Sequence, residues 1–115
     1  MPPRARVRIV AAGLSGVAFI VAAAAARSEP LSPAAQQGRA IVSAPCARCH
    51  AVGRTGESPL KPAPPFRTLH LRYPVESLEE SLAEGIITGH PAMPEFRFSP
   101  EQVGDIIAYL KSLEH

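Results

Sequence analysis

The chain has 115 residues, with 12 Lys+Arg against 10 Asp+Glu, 13 prolines, two cysteines and no tryptophan, a length that allows one small domain. Arg4, Arg6 and Arg8 precede every acid, so after residue 26 nine basic residues face ten acidic ones, a net charge of −1. No Lys/Arg cluster with interleaved aromatics exists, which excludes nucleic-acid binding.

Residues 1–26 read as a signal peptide: a cationic start, an apolar run and the small residues Ala24-Ala25-Ala26. An uncleaved anchor is the competing expectation, because Ile9–Ala26 gives 18 uncharged residues, the lower edge of a membrane span. Residues 27–32 form a linker and 33–115 the folded domain. Ser32 as N-cap and Pro33 at the first helical position start a helix to about Ser43, with an apolar patch at Ala40, Ile41 and Ala44. A turn of helix follows over 46–50. Loop residues and then PAPP at 62–65 keep the chain out of regular structure to Tyr73. From Pro74, the spacing of Val75, Leu78, Leu82 and Ile86 predicts a second amphipathic helix, stopped at Gly85. A proline-bound loop, ITGHPAMPEFRF, leads to the last helix. Ser99, Pro100 and Gln102 spell a capping box, and Val103, Ile106, Ile107, Leu110 and Leu113 make its apolar stripe with Tyr109 at the flank. No strand pattern is present. The fold class is all-α, with three main helices, one or two minor turns and long proline-rich loops.

The mature domain would hold about 89 residues, few aromatics and much alanine. A chain that small needs a staple or an apolar filler, and its long loops at 51–73 and 87–98 need something to wrap around. Cys46-Ala47-Arg48-Cys49-His50 answers that need. On a turn of helix, positions 46, 49 and 50 share a face. Two thiols can add across porphyrin vinyl groups while the imidazole reaches the iron, and C-x-x-C-H is the attachment signature of c-type haem. The rival readings lack context: a thioredoxin-like pair wants a βαβ unit, zinc wants four ligands that His70, His90 and His115 do not complete, and a disulfide here would close too short a loop to constrain the chain.

His50 leaves one axial position on the iron. Met93, the only methionine after the leader, sits between Pro91 and Pro94 in a stiffened loop. His90 and an open position are the alternatives. A soft thioether favours ferrous iron and a higher potential, and a second protein ligand makes a carrier rather than an enzyme.

PCARCHAVG, then KPAPPF, TGHPAMPEF and SPEQVGDIIAYLKSL resemble, in kind and in order, a small bacterial class I cytochrome c over about residues 34–114. The resemblance implies the cytochrome c fold around one covalent haem c, with Cys46, Cys49, His50 and Met93 as the cofactor-binding residues and His50 and Met93 on the metal. It implies a close contact of Gly38 with Tyr109 where the terminal helices cross. It also implies a proline carbonyl, from Pro64 or Pro65, that orients the haem histidine. Arg67, Arg72, Tyr73 and Arg97 are candidate partners of the propionates. The expected function is a monomeric periplasmic one-electron carrier, not an enzyme, between a donor dehydrogenase or quinol-oxidising complex and an acceptor oxidase or reductase. The alternative is a haem c subunit of a larger oxidoreductase, or a membrane-tethered cytochrome if the leader is retained. Only Lys61 and Lys111 are lysines, so strong cationic steering toward a partner is not indicated.

Overall fold

The computed structural model describes residues 13, 20, 22, 28–85 and 92–115. The expected signal peptide lies almost wholly outside them, as do Ile86, His90 and the first part of the loop that carries Met93. The described residues contain α1 (Pro33–Val42), α2 (Glu79–Glu84), α3 (Pro100–Ser112) and two short 3₁₀ segments, with no strand. Among them, no helix is long and apolar enough to cross a membrane.

α1 starts where its cap demands. The Ser32 hydroxyl accepts the Ala35 amide at 3.1 Å with Pro33 behind it, filling an orphan donor and presetting φ. The face it buries differs from the expected one. Ala35, Gly38 and Val42 turn inward, whereas Ala40 and Ala44 are exposed and Ile41 is half-buried. The reason is the crossing with α3. A Cβ built on Gly38 would stand 1.9 Å from the Asp105 carbonyl oxygen and 2.9 Å from the Tyr109 Cβ, so the helix must offer its smallest residues there.

α3 has its capping box in place: the Gln102 amide donates to the Ser99 hydroxyl at 3.2 Å, and the Ser99 amide to Gln102 Oε1 at 3.0 Å. The whole expected stripe is buried. Tyr109 is no flank residue. It is 3% exposed, and its hydroxyl donates to the Val52 carbonyl at 2.5 Å. Burial raises its pKa, and Arg39 and Arg54 pull it partly back. Arg54 adds a second tie, donating to the carbonyls of Ser112 and His115, a favourable place for a cation at a helix C-terminus.

The segment expected to be irregular to Tyr73 winds into a 3₁₀ turn over Phe66–Leu71. The Pro65 carbonyl starts it by accepting both the amide and the hydroxyl of Thr68, and Leu69 anchors it in the core. The second helix is split: Val75–Leu78 is 3₁₀ and only Glu79–Glu84 is α-helical, a common tightening of a helix start. Gly85 ends it at φ +109°, backbone that favours glycine.

Candidate cofactor site

Beyond Val42 the chain turns tightly. The Cys46 amide donates to the Val42 carbonyl at 3.2 Å, and the His50 amide to the Cys46 carbonyl at 2.9 Å. That i,i+4 bond makes one helical turn and sets Cys46, Cys49 and His50 on one side. All three line a single cavity of about 640 Å³, a size suited to a cofactor. The two cysteines are not joined to each other, and before any attachment burial pushes the Cys46 thiol up to about 11.

His50 Nδ1 lies 2.7 Å from the Pro64 carbonyl oxygen. A carbonyl can only accept, so Nδ1 carries the proton and the Nε2 lone pair is free. Pro64 is therefore the proline that orients the ring, while the Pro65 carbonyl is taken by Thr68. The Phe66 ring rests with its centroid 5.1 Å from the imidazole. Three further bonds fold the long loop back onto this turn: Leu60 amide to Cys49 carbonyl at 3.1 Å, Phe66 amide to Ala51 carbonyl at 2.9 Å, and Ala51 amide to Ser58 hydroxyl at 3.0 Å.

Another wall of the cavity comes from residues 92–98, which include Met93. Pro94, Phe96 and Phe98 line it while Glu95 and Arg97 do not, the period-two alternation of extended chain. The Phe96 and Phe98 rings stack at 6.2 Å, and the Phe98 amide donates to the Leu82 carbonyl at 2.9 Å. Val42, Leu69, Leu82, Ile106 and Leu110 complete an apolar interior.

Among the described residues no carboxylate lines the cavity, and its polar groups besides the thiols and His50 are Arg72 and Tyr73. The four propionate candidates are thus divided. Arg72 and Tyr73 reach the cavity, Arg67 lines a separate hollow of about 400 Å³ together with His70, and Arg97 pairs with Glu95 at 3.1 Å. Phe66 and Phe98 are site residues that the motifs do not name. The alternation of residues 94, 96 and 98 was the available signal for Phe98; nothing local marks Phe66.

The comparisons agree with the geometry. A family model described as cytochrome c oxidase, cbb3-type, subunit III matches residues 33–110. The chain belongs to that family of c-type cytochromes. Cytochrome c-552 of Bradyrhizobium diazoefficiens is 33% identical over 100 residues, covering 87% of this chain and 94% of that protein. No solved structure gives a significant match. As a small c-type cytochrome, the protein has an all-α cytochrome c fold, carries covalent haem c and transfers electrons with redox partners. The residues present suit that group: a thiol pair and an oriented imidazole lie beside a large apolar hollow, and Cys46-Ala47-Arg48-Cys49-His50 matches the attachment pattern.

Proposed function

We propose that this cytochrome is a periplasmic one-electron carrier, its haem bonded through thioethers at Cys46 and Cys49 and ligated by His50 and Met93. The carrying observation is that the CxxCH turn and Met93, distant in sequence, line the same apolar cavity. Bound there, haem c supplies a one-electron iron couple. His50 offers Nε2, because Pro64 holds its Nδ1 proton and makes the ring a better donor. Met93 offers a soft sulfur from a loop that Pro94 stiffens, which favours the ferrous state. The aliphatic and aromatic lining keeps the iron in apolar surroundings, and no described lining residue is a carboxylate that would favour ferric iron. Arg72 and Tyr73 meet the propionates. Residues 1–26 act as the export signal, and the mature chain serves as a carrier without catalysis of its own.

The test is a pyridine haemochrome spectrum with intact mass on exported protein. One haem, two thioethers and a mass lacking residues 1–26 are expected. Met93→Ala should lose the weak sulfur-to-iron charge-transfer band at the red end of the ferric spectrum and bind carbon monoxide when reduced. A colourless protein, or a band that survives Met93→Ala, overturns the reading. A second reading, a haem c subunit of a larger oxidoreductase or a tethered cytochrome, is favoured by the description of the matching family model. It predicts a retained N-terminus in the same mass measurement, or co-purification with oxidase subunits.

A further inference from the structure

The limb that follows Met93 carries an outer side as well as a cavity side. Pro94, Phe96 and Phe98 line the cavity while Glu95 and Arg97 do not; away from it both Arg97 Nε and Nη2 donate to Glu95 Oε1 at 3.1 Å. That carboxylate is seated on Gly85, the residue that ends α2. A Cβ built on Gly85 would meet Glu95 Oε1 at 2.3 Å and both Cγ and Cδ at 3.0 Å. Gly85 also holds φ +109°, so it is glycine for two independent reasons: the turn needs it, and the carboxylate occupies the space a side chain would take.

We propose that Glu95, seated on Gly85 and oriented by Arg97, is a strut that positions Met93 for ligation. The inference rests on Met93 as the axial ligand. One residue, Pro94, separates strut from ligand, and it fixes one of the few soft backbone torsions between them. The position of Glu95 therefore passes to Met93 with little slack. The strut works through contact and not through charge. The side chains of Arg97 and Glu95 are 72% and 47% exposed, and an exposed ion pair contributes little by itself. What the arginine supplies is the rotamer that keeps the carboxylate on the glycine. Farther along, the Phe98 amide bond to the Leu82 carbonyl pins the limb to α2 a second time. Between those two points the limb is held against one helix end.

The experiment uses ferric holoprotein and imidazole, which takes the axial position only when the Met93 sulfur has left, so its binding rate reads how firmly the limb holds that sulfur. Glu95→Ala and Gly85→Ala should each raise the rate by about tenfold, the size expected from losing one well-placed contact or from a side chain at a strained turn. The double variant should give less than the product of the two, because both remove one strut. Glu95→Gln keeps the bulk on Gly85 and should stay within about threefold of the parent. Thermal unfolding of the Glu95 variants should hardly move, which separates positioning from general stability. If Glu95→Ala leaves the imidazole rate unchanged while Met93→Ala abolishes the charge-transfer band, the strut is wrong and the ligand assignment stands. If the band survives Met93→Ala, both fall. Should Gly85→Ala fail to fold, the two Glu95 variants decide the matter alone.

Discussion

On the side of Cys46, Cys49 and His50, backbone hydrogen bonds stitch the turn to α1, to the loop behind it and to the Phe66 turn, and the Tyr109 hydroxyl ties that loop to α3. On the side of Met93, among the described residues, the limb 92–98 is tied by one backbone bond from Phe98 to Leu82 and by a carboxylate resting on a glycine. The CxxCH side is built into the terminal helix crossing; the Met93 side is laid against a six-residue helix. On the proposed ligation the contrast has a reason: a covalent tether needs a permanent frame, while a ligating sulfur needs only to be aimed. The difference predicts that damage to the first side shows as lost stability and damage to the second as altered iron ligation in a protein that stays folded.

The largest effect should come from the helix crossing itself. Gly38→Val places side-chain atoms where the Asp105 carbonyl already stands, and the holoprotein should lose at least about 3 kcal/mol of denaturant stability, at or beyond the usual range for overpacking. An unfolding curve unchanged from the parent would remove the crossing as the frame of the attachment side. Next is Phe66→Ala, which strips the ring from beside His50 and should cost about 2 kcal/mol, below a fully buried phenylalanine because Phe66 is only half-buried. On the proposed ligation its charge-transfer band should persist, since Phe66 lies in the loop behind the CxxCH turn and Met93 in the separate limb 92–98.

Smaller is Tyr109→Phe, which deletes the bond to Val52 and should cost about 1 kcal/mol. The parent carries a further signature. Its phenol pKa is raised in the folded state by burial, so the proton is held more tightly folded than unfolded. That contribution is present below the ordinary tyrosine value and fades as pH rises through the raised one. Alkaline unfolding curves of parent and variant should converge across that window; parallel curves would contradict the burial. The smallest effect belongs to Lys111→Ala. Lys111 and Glu76 pair on the surface, lowering the Glu76 pKa and raising that of Lys111. Any gain is present at neutral pH and disappears as pH falls through the lowered Glu76 value. A midpoint shift larger than that of Tyr109→Phe would show the pair to be more than a solvated contact.

Much of the molecule was legible from local chemistry. Caps are local: Ser32, Pro33, Ser99 and Gln102 fixed both helix starts because hydroxyl and amide reach the nearest orphan backbone groups. The α3 stripe followed from a period the helix cannot avoid. CxxCH was legible because its three groups are near neighbours in one turn. Local pattern does not give the inward face of α1, because its apolar content points to Ile41 and Ala44; the contact of Gly38 with Tyr109, which the structure bears out, follows from the family resemblance instead. The apolar stripe of α3 taken alone leaves Tyr109 at the flank, since its buried hydroxyl is satisfied only by the distant Val52. Residues 66–71 had no periodic signal and wind only because Pro65 offers its carbonyl and the core accepts Leu69.

The sequence by itself determined the helix starts and the chemistry of the CxxCH turn, for these depend on residues within one or two turns of each other. Only the tertiary structure decided that Pro64 rather than Pro65 holds His50, that Arg72 and Tyr73 rather than Arg67 and Arg97 reach the cavity, and that Glu95 sits on Gly85. Each of those choices depends on how closely two separately folded stretches approach, and close approach is set by packing, which local composition does not encode.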